Sequence, residues 1–129
     1  MDKKTSHLRK LFHLLTLLVI IISLYPGSLF GFFLYGDAKL QPQFAKDFSY
    51  FSTQHFCVYF VLSFVGFYSY LREKKFNLTA IYLFFLSAIL ELLHFIIPER
   101  SFEIRDLVGN ILGVLIVYIL VLIYKFWRK

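Results

Sequence analysis

A chain of 129 residues is one domain's worth, and 59% of it is hydrophobic against 17% charged, with 17 Phe and 9 Tyr. A soluble domain of this length has too little interior to hide that much apolar surface, so composition excludes an ordinary soluble globule and points to lipid as the solvent. The net charge of +6 would suit nucleic acid in a soluble protein, but no basic stripe with interleaved aromatics exists, and no nucleic-acid partner is expected.

Four charge-poor stretches organise the chain: 11–36, 48–71, 76–90 (continuing past Glu91 to Pro98) and 107–124. A helix needs ~20 residues to cross ~30 Å of hydrocarbon. The expected fold is therefore all-α, a single transmembrane domain over 1–129 with four spanning helices at about 7–25, 51–71, 77–97 and 106–126. Pro26-Gly27 is a strong breaker pair. It ends the first helix and leaves 28–36 as an interfacial segment. The basic start and apolar core also suit a cleaved leader, but no small-x-small pattern follows, so the segment reads as a retained span.

Lys and Arg set the orientation. Lys3, Lys4, Arg9, Lys10, Arg72, Lys74, Lys75, Lys125, Arg128 and Lys129 lie at the termini and the middle loop, whereas Lys39, Lys46, Arg100 and Arg105 lie in the other two loops. The positive-inside rule then places both termini in the cytoplasm. Most of the acids, Asp37, Asp47, Glu91, Glu99, Glu103 and Asp106, fall toward the opposite side. Any binding chemistry is expected there. The sequon Asn77-Leu78-Thr79 falls on the cytoplasmic side in this topology and carries no meaning.

Glu91 is the most informative residue. Seven residues before Pro98, it would lie roughly 10 Å below the end of its helix at 1.5 Å per residue, where a carboxylate needs a partner or a proton. Ser87 and His94 share its helical face. Asp106, Asn110 and Gly113 recur at i, i+4 and i+7 on the fourth helix, and His55 and Tyr59 are four apart on the second. Arg100, just beyond the Pro98 break, is placed to fold back over the mouth of the bundle, within reach of Glu91, Asp106 or both. His55, Tyr59, Glu91, His94, Arg100, Asp106 and Asn110 are the candidate ligand-binding set, against a plainer reading of packing histidines and solvated loop charges. Gly109 and Gly113 form a Gly-x-x-x-Gly pair suited to close helix packing.

No catalytic set, cofactor or metal site is expected. The single Cys57 excludes a disulfide framework, and neither His-x-x-x-His nor Cys-x-x-Cys spacing supports zinc at His55, Glu91 and His94. Nucleophile elbows, phosphate loops and dinucleotide fingerprints are also missing.

The run Glu91-Leu92-Leu93-His94-Phe95-Ile96-Ile97-Pro98-Glu99-Arg100, followed by Asp106-Leu107-Val108-Gly109-Asn110-Ile111-Leu112-Gly113, resembles the signature of the VanZ-like family. Gln54-His55-Phe56-Cys57-Val58-Tyr59 is similar to that family's second-helix element, and Ser23-Leu24-Tyr25-Pro26 to the usual end of its first helix. Two departures stand out: Phe51-Ser52 replaces a common Asp-Lys pair, and His94 replaces a glutamine. The resemblance implies a four-helix, multi-pass protein of the bacterial inner membrane. The founding member is associated with low-level resistance to teicoplanin-type glycopeptides.

Three functional readings follow. In the first, the protein binds or handles an amphiphilic envelope molecule, with membrane lipids as partners. In the second, it is an accessory subunit packing against other membrane subunits. In the third, it is an enzyme on a lipid-linked phosphate or sugar, with Glu91 or Asp106 as general base and Arg100 as clamp.

Overall fold

The computed structural model describes residues 2–129 and contains five α-helices and no strand among them. They are α1 (Lys3–Leu24), α2 (Leu29–Tyr35), α3 (Thr53–Ser69), α4 (Phe76–Leu92, extended by a 3-10 turn over Leu93–Phe95) and α5 (Ile104–Trp127). Three of them, Lys3–Leu24, Phe76–Phe95 and Ile104–Trp127, are long and apolar enough to cross a membrane. The expectation was four. α3 has 17 residues, a rise of only ~25 Å, because its helix starts at Thr53 rather than 51 and stops at Ser69 rather than 71.

Helix ends follow local chemistry. α1 stops at Leu24, ahead of Pro26-Gly27, where Gly27 takes φ +88°, a conformation open to glycine without a Cβ penalty. Ser28 then caps α2, its hydroxyl accepting from the Gly31 N–H at 3.0 Å, and Gly36 closes α2 in the left-handed conformation. α2 leaves Phe30, Phe32, Phe33, Leu34 and Tyr35 exposed.

α1 and α4 run one way, α3 and α5 the other. At one end, Arg9 pairs with Glu73 at 2.6 Å and Lys125 sits 3.2 Å over the Phe76 ring. This draws together the start of α1, the α3–α4 loop and the end of α5. At the opposite end, Arg100 reaches the last turn of α1, and the Ser52 N–H donates to the Arg105 carbonyl at 3.0 Å, fixing the starts of α3 and α5 side by side. The ten basic residues named above and the four remaining ones thus lie toward opposite ends.

The core is built from Phe12, Leu62, Phe67, Leu83, Val114 and Val117. Glycines set its spacing. A Cβ at Gly113 would stand 2.7 Å from the Phe56 carbonyl oxygen and one at Gly109 2.6 Å from that of Ser52, so both glycines lie where α5 touches the backbone of α3. Gly66 takes the Phe12 ring in the same manner. Outward faces stay apolar: Leu14, Leu17, Leu18 and Ile21 on α1, Ile81 and Phe85 on α4, and Ile119, Leu120 and Ile123 on α5 are all exposed. In water such a surface would drive association; in hydrocarbon it is ordinary.

Candidate functional site

Glu91 is 1% exposed, although it stands in the last turn of α4 and not deep below a helix that continues to Pro98. Its burial comes from above. The chain turns over it after Phe95, and the Glu103 N–H donates to Oε1 at 3.2 Å. His94 Nδ1 lies 3.2 Å from the same oxygen, while His94 Nε2 donates to the Ser23 carbonyl at 3.0 Å. Oε2 is buried with no hydrogen-bond partner.

Asn110 joins three helices. Its Nδ2 donates to the Ser87 carbonyl of α4 at 3.1 Å, which leaves Oδ1 as the acceptor for His55 Nδ1 of α3 at 2.9 Å. An amide has one acceptor end and one donor end, so this pair of bonds sets both the amide's orientation and the imidazole's tautomer. His55 Nε2 then faces Asp106 Oδ2 at 3.5 Å. One ligand atom each from His55, Glu91 and Asp106 lie within 4.8 Å of one another.

Arg100 does not pair with Glu91. Its guanidinium instead donates from Nη2 to the Ile22 carbonyl at 2.7 Å and from Nε to the Tyr25 carbonyl at 3.2 Å. These carbonyls belong to the end of α1, where helical acceptors lack partners of their own. Burial pushes the Arg100 pKa down from its ordinary value, opposed in part by Glu91 and then Asp106.

A cavity of about 200 Å³ opens between α1, α2, the segment after it, and α3. Val19, Ile22, Leu29, Phe30, Phe44 and Val58 supply apolar wall. His55, Tyr59, His94 and Arg100 supply the polar side. Tyr59 is 3% exposed and its hydroxyl has no hydrogen-bond partner.

Of the seven candidate residues, His55 meets Asn110 and Asp106 directly, Glu91 lies within 4.8 Å of His55 and Asp106 and contacts His94, and Tyr59 and Arg100 share the cavity wall with His55 and His94. The chain between α2 and α3 was not foreseen as part of this region. Gln41, Pro42 and Phe44 line the cavity, and the Gln54 side-chain oxygen accepts from the Phe44 N–H. The only hint in the sequence was Pro42 within a loop that is apolar for its length. The backbone N–H of Glu103 and the carbonyls of Ile22, Ser23, Tyr25 and Ser87 carry no side-chain signal at all.

The family model described as VanZ/LLP1 matches residues 2–125, nearly the whole chain. Comparison with curated proteins and with solved structures gave no match.

Proposed function

The chain belongs to the VanZ/LLP1 family, and from that premise we propose that it is a multi-pass protein of the bacterial inner membrane that binds an amphiphilic envelope molecule. The observation that carries this reading is the cavity: apolar walls from Val19, Ile22, Phe30 and Val58 meet a polar side formed by His55, His94 and Arg100. An acyl or isoprenoid portion fits the first and an anionic or hydroxylated head the second, with Arg100 as the fixed positive charge.

In this reading α3 is the fourth span. Val58, Val61, Phe64 and Tyr68 are exposed along it at helical spacing, a face suited to lipid, and flanking aromatics at Phe48, Tyr50 and Tyr70 extend its reach. The end rich in Lys and Arg lies in the cytoplasm and the cavity end on the outer side. Holding an envelope amphiphile is also a route by which such a protein would alter glycopeptide susceptibility.

The test is mass spectrometry of molecules that co-purify with untagged protein in mild detergent. Wild type and Leu17→Trp, on the exposed face of α1, should carry one amphiphile at stoichiometric level, and the cavity-filling Val19→Trp should lose it. Stoichiometric capture of another membrane protein with no amphiphile would replace this reading with that of an accessory subunit.

A further inference from the structure

His55 and Asp106 present an unusual contact. The ring's Nδ1–H is committed to Asn110 Oδ1, because the amide's other end donates to Ser87. Neutral imidazole has one donor and one acceptor nitrogen, so the neutral ring turns a bare lone pair at Nε2 toward a carboxylate oxygen 3.5 Å away. Two acceptors facing each other repel unless a cation lies between them. Beside them, Glu91 is 1% exposed and its Oε2 has no partner. Oε1 already accepts from the Glu103 N–H and has His94 Nδ1 3.2 Å away, so Oε2 is the Glu91 oxygen with no neighbour claiming its lone pairs.

We infer that His55, Glu91 and Asp106 form a binding site for one divalent first-row transition-metal ion, with Zn2+ as its probe. The donor set, one imidazole nitrogen and two carboxylate oxygens, is of the kind that holds such ions. The three ligand atoms already lie within 4.8 Å of one another. Bonds of ~2.0–2.2 Å set ligand atoms ~3.4 Å apart; His55 Nε2 and Asp106 Oδ2 already stand at 3.5 Å, so an ion would draw Glu91 toward them. A fully buried Glu91 carboxylate beside the half-buried one of Asp106 also calls for compensating charge, and a dication neutralises both. The hydrogen bond from Nδ1 to Asn110 is the outer support that ligating histidines use to fix tautomer and ring angle. His94 is not a ligand: its two nitrogens already face the Ser23 carbonyl and Glu91 Oε1.

Neither His55 with Asp106 nor Glu91 with either falls on one helix, which is why no ligand spacing marks them in the sequence. The site forms only where α3, α4 and α5 converge. It stands independently of what fills the neighbouring cavity, since an ion can bind with no amphiphile present.

The experiment uses untagged full-length protein in lipid nanodiscs, stripped with chelator, then titrated with Zn2+ and with Mn2+, and with Mg2+ and Ca2+ as oxygen-preferring comparisons. Wild type should bind one Zn2+ per chain. His55→Gln and Asp106→Asn should lose stoichiometric binding, and Asn110→Ala should weaken it by roughly 10- to 100-fold, as loss of an outer hydrogen bond does at other metal sites. Pulsed electron paramagnetic resonance of Mn2+-loaded wild type should show one imidazole nitrogen coupling; this reading needs no variant to fold. Absence of stoichiometric binding by wild type overturns the proposal. Binding unchanged in both His55→Gln and Asp106→Asn, or Mn2+ without a nitrogen coupling, overturns it equally.

Discussion

Arg100 closes the carbonyl end of α1, reaching Ile22 at 2.7 Å and Tyr25 at 3.2 Å from a loop that follows α4. One planar guanidinium thereby satisfies two acceptors that the helix itself cannot, and it holds α1 against the roof over Glu91. Arg100→Ala should lower stability by about 2 kcal/mol, the scale of hydrogen bonds to a charged group. Arg100→Lys should recover only part of this, because an ammonium lacks the fork that spans both carbonyls. Thermal unfolding in detergent measures both, and a lysine variant as stable as wild type would contradict the account.

Asn110 yields a comparison of shape against chemistry. Asn110→Leu removes the bonds to His55 and Ser87 together, at a cost of about 1–3 kcal/mol. Asn110→Asp keeps the shape but loses the donor to Ser87 and adds a carboxylate beside Glu91 and Asp106, so it should be the less stable of the two. Melting temperatures in the same detergent decide it; the reverse ranking would mean that the amide is not oriented as described.

Gly113 leaves no room for a side chain. A Cβ there meets the Phe56 oxygen at 2.7 Å, the Phe60 nitrogen at 2.9 Å and the Tyr59 Cβ at 3.0 Å, all from α3. Even Gly113→Ala should cost about 1–3 kcal/mol, the range for forced overpacking, and Gly113→Leu should separate the helices. Identical melting profiles for wild type and the alanine variant would show that α5 slides without strain.

Orientation is open to chemistry on intact cells. In a Cys57→Ser background, Lys3→Cys and Lys129→Cys should resist a membrane-impermeant thiol reagent, whereas Glu103→Cys should react. Labelling at the termini with protection at position 103 would invert the protein and put the cavity on the cytoplasmic side.

The all-helical character was legible because long charge-poor runs leave few alternatives, although three helices and not four are long and apolar enough to cross a membrane, and Pro26-Gly27 follows the end of α1 directly. Glu91 was legible as buried, but for the wrong reason: the sequence suggested depth below a helix running to Pro98, whereas the helix ends near it and the following loop covers it. Arg100 was expected at Glu91, Asp106 or both and is found on the carbonyls of α1 instead, since a run of residues shows charge and reach but not which carbonyls stand open. The stripe Asp106, Asn110, Gly113 was readable by period, yet its division of labour was not. Gly113 meets the α3 backbone, Asn110 bridges to α3 and α4, and Asp106 faces His55. That division depends on crossing geometry, which helical spacing does not encode.

The parallel pairing of α3 with α5 has a consequence for how the protein is made. Synthesis delivers α3 and α4 before α5, as chains emerge from the N-terminus. Until the last helix enters, the strip of α3 backbone that meets Gly109 and Gly113 lies uncovered, His55 has no Asn110, and Glu91 has no Glu103 N–H above it. Biogenesis therefore ends on a latch. A nascent chain stopped before Glu103 would leave Glu91 without that N–H and His55 without Asn110, and arrival of α5 would supply both in a single step.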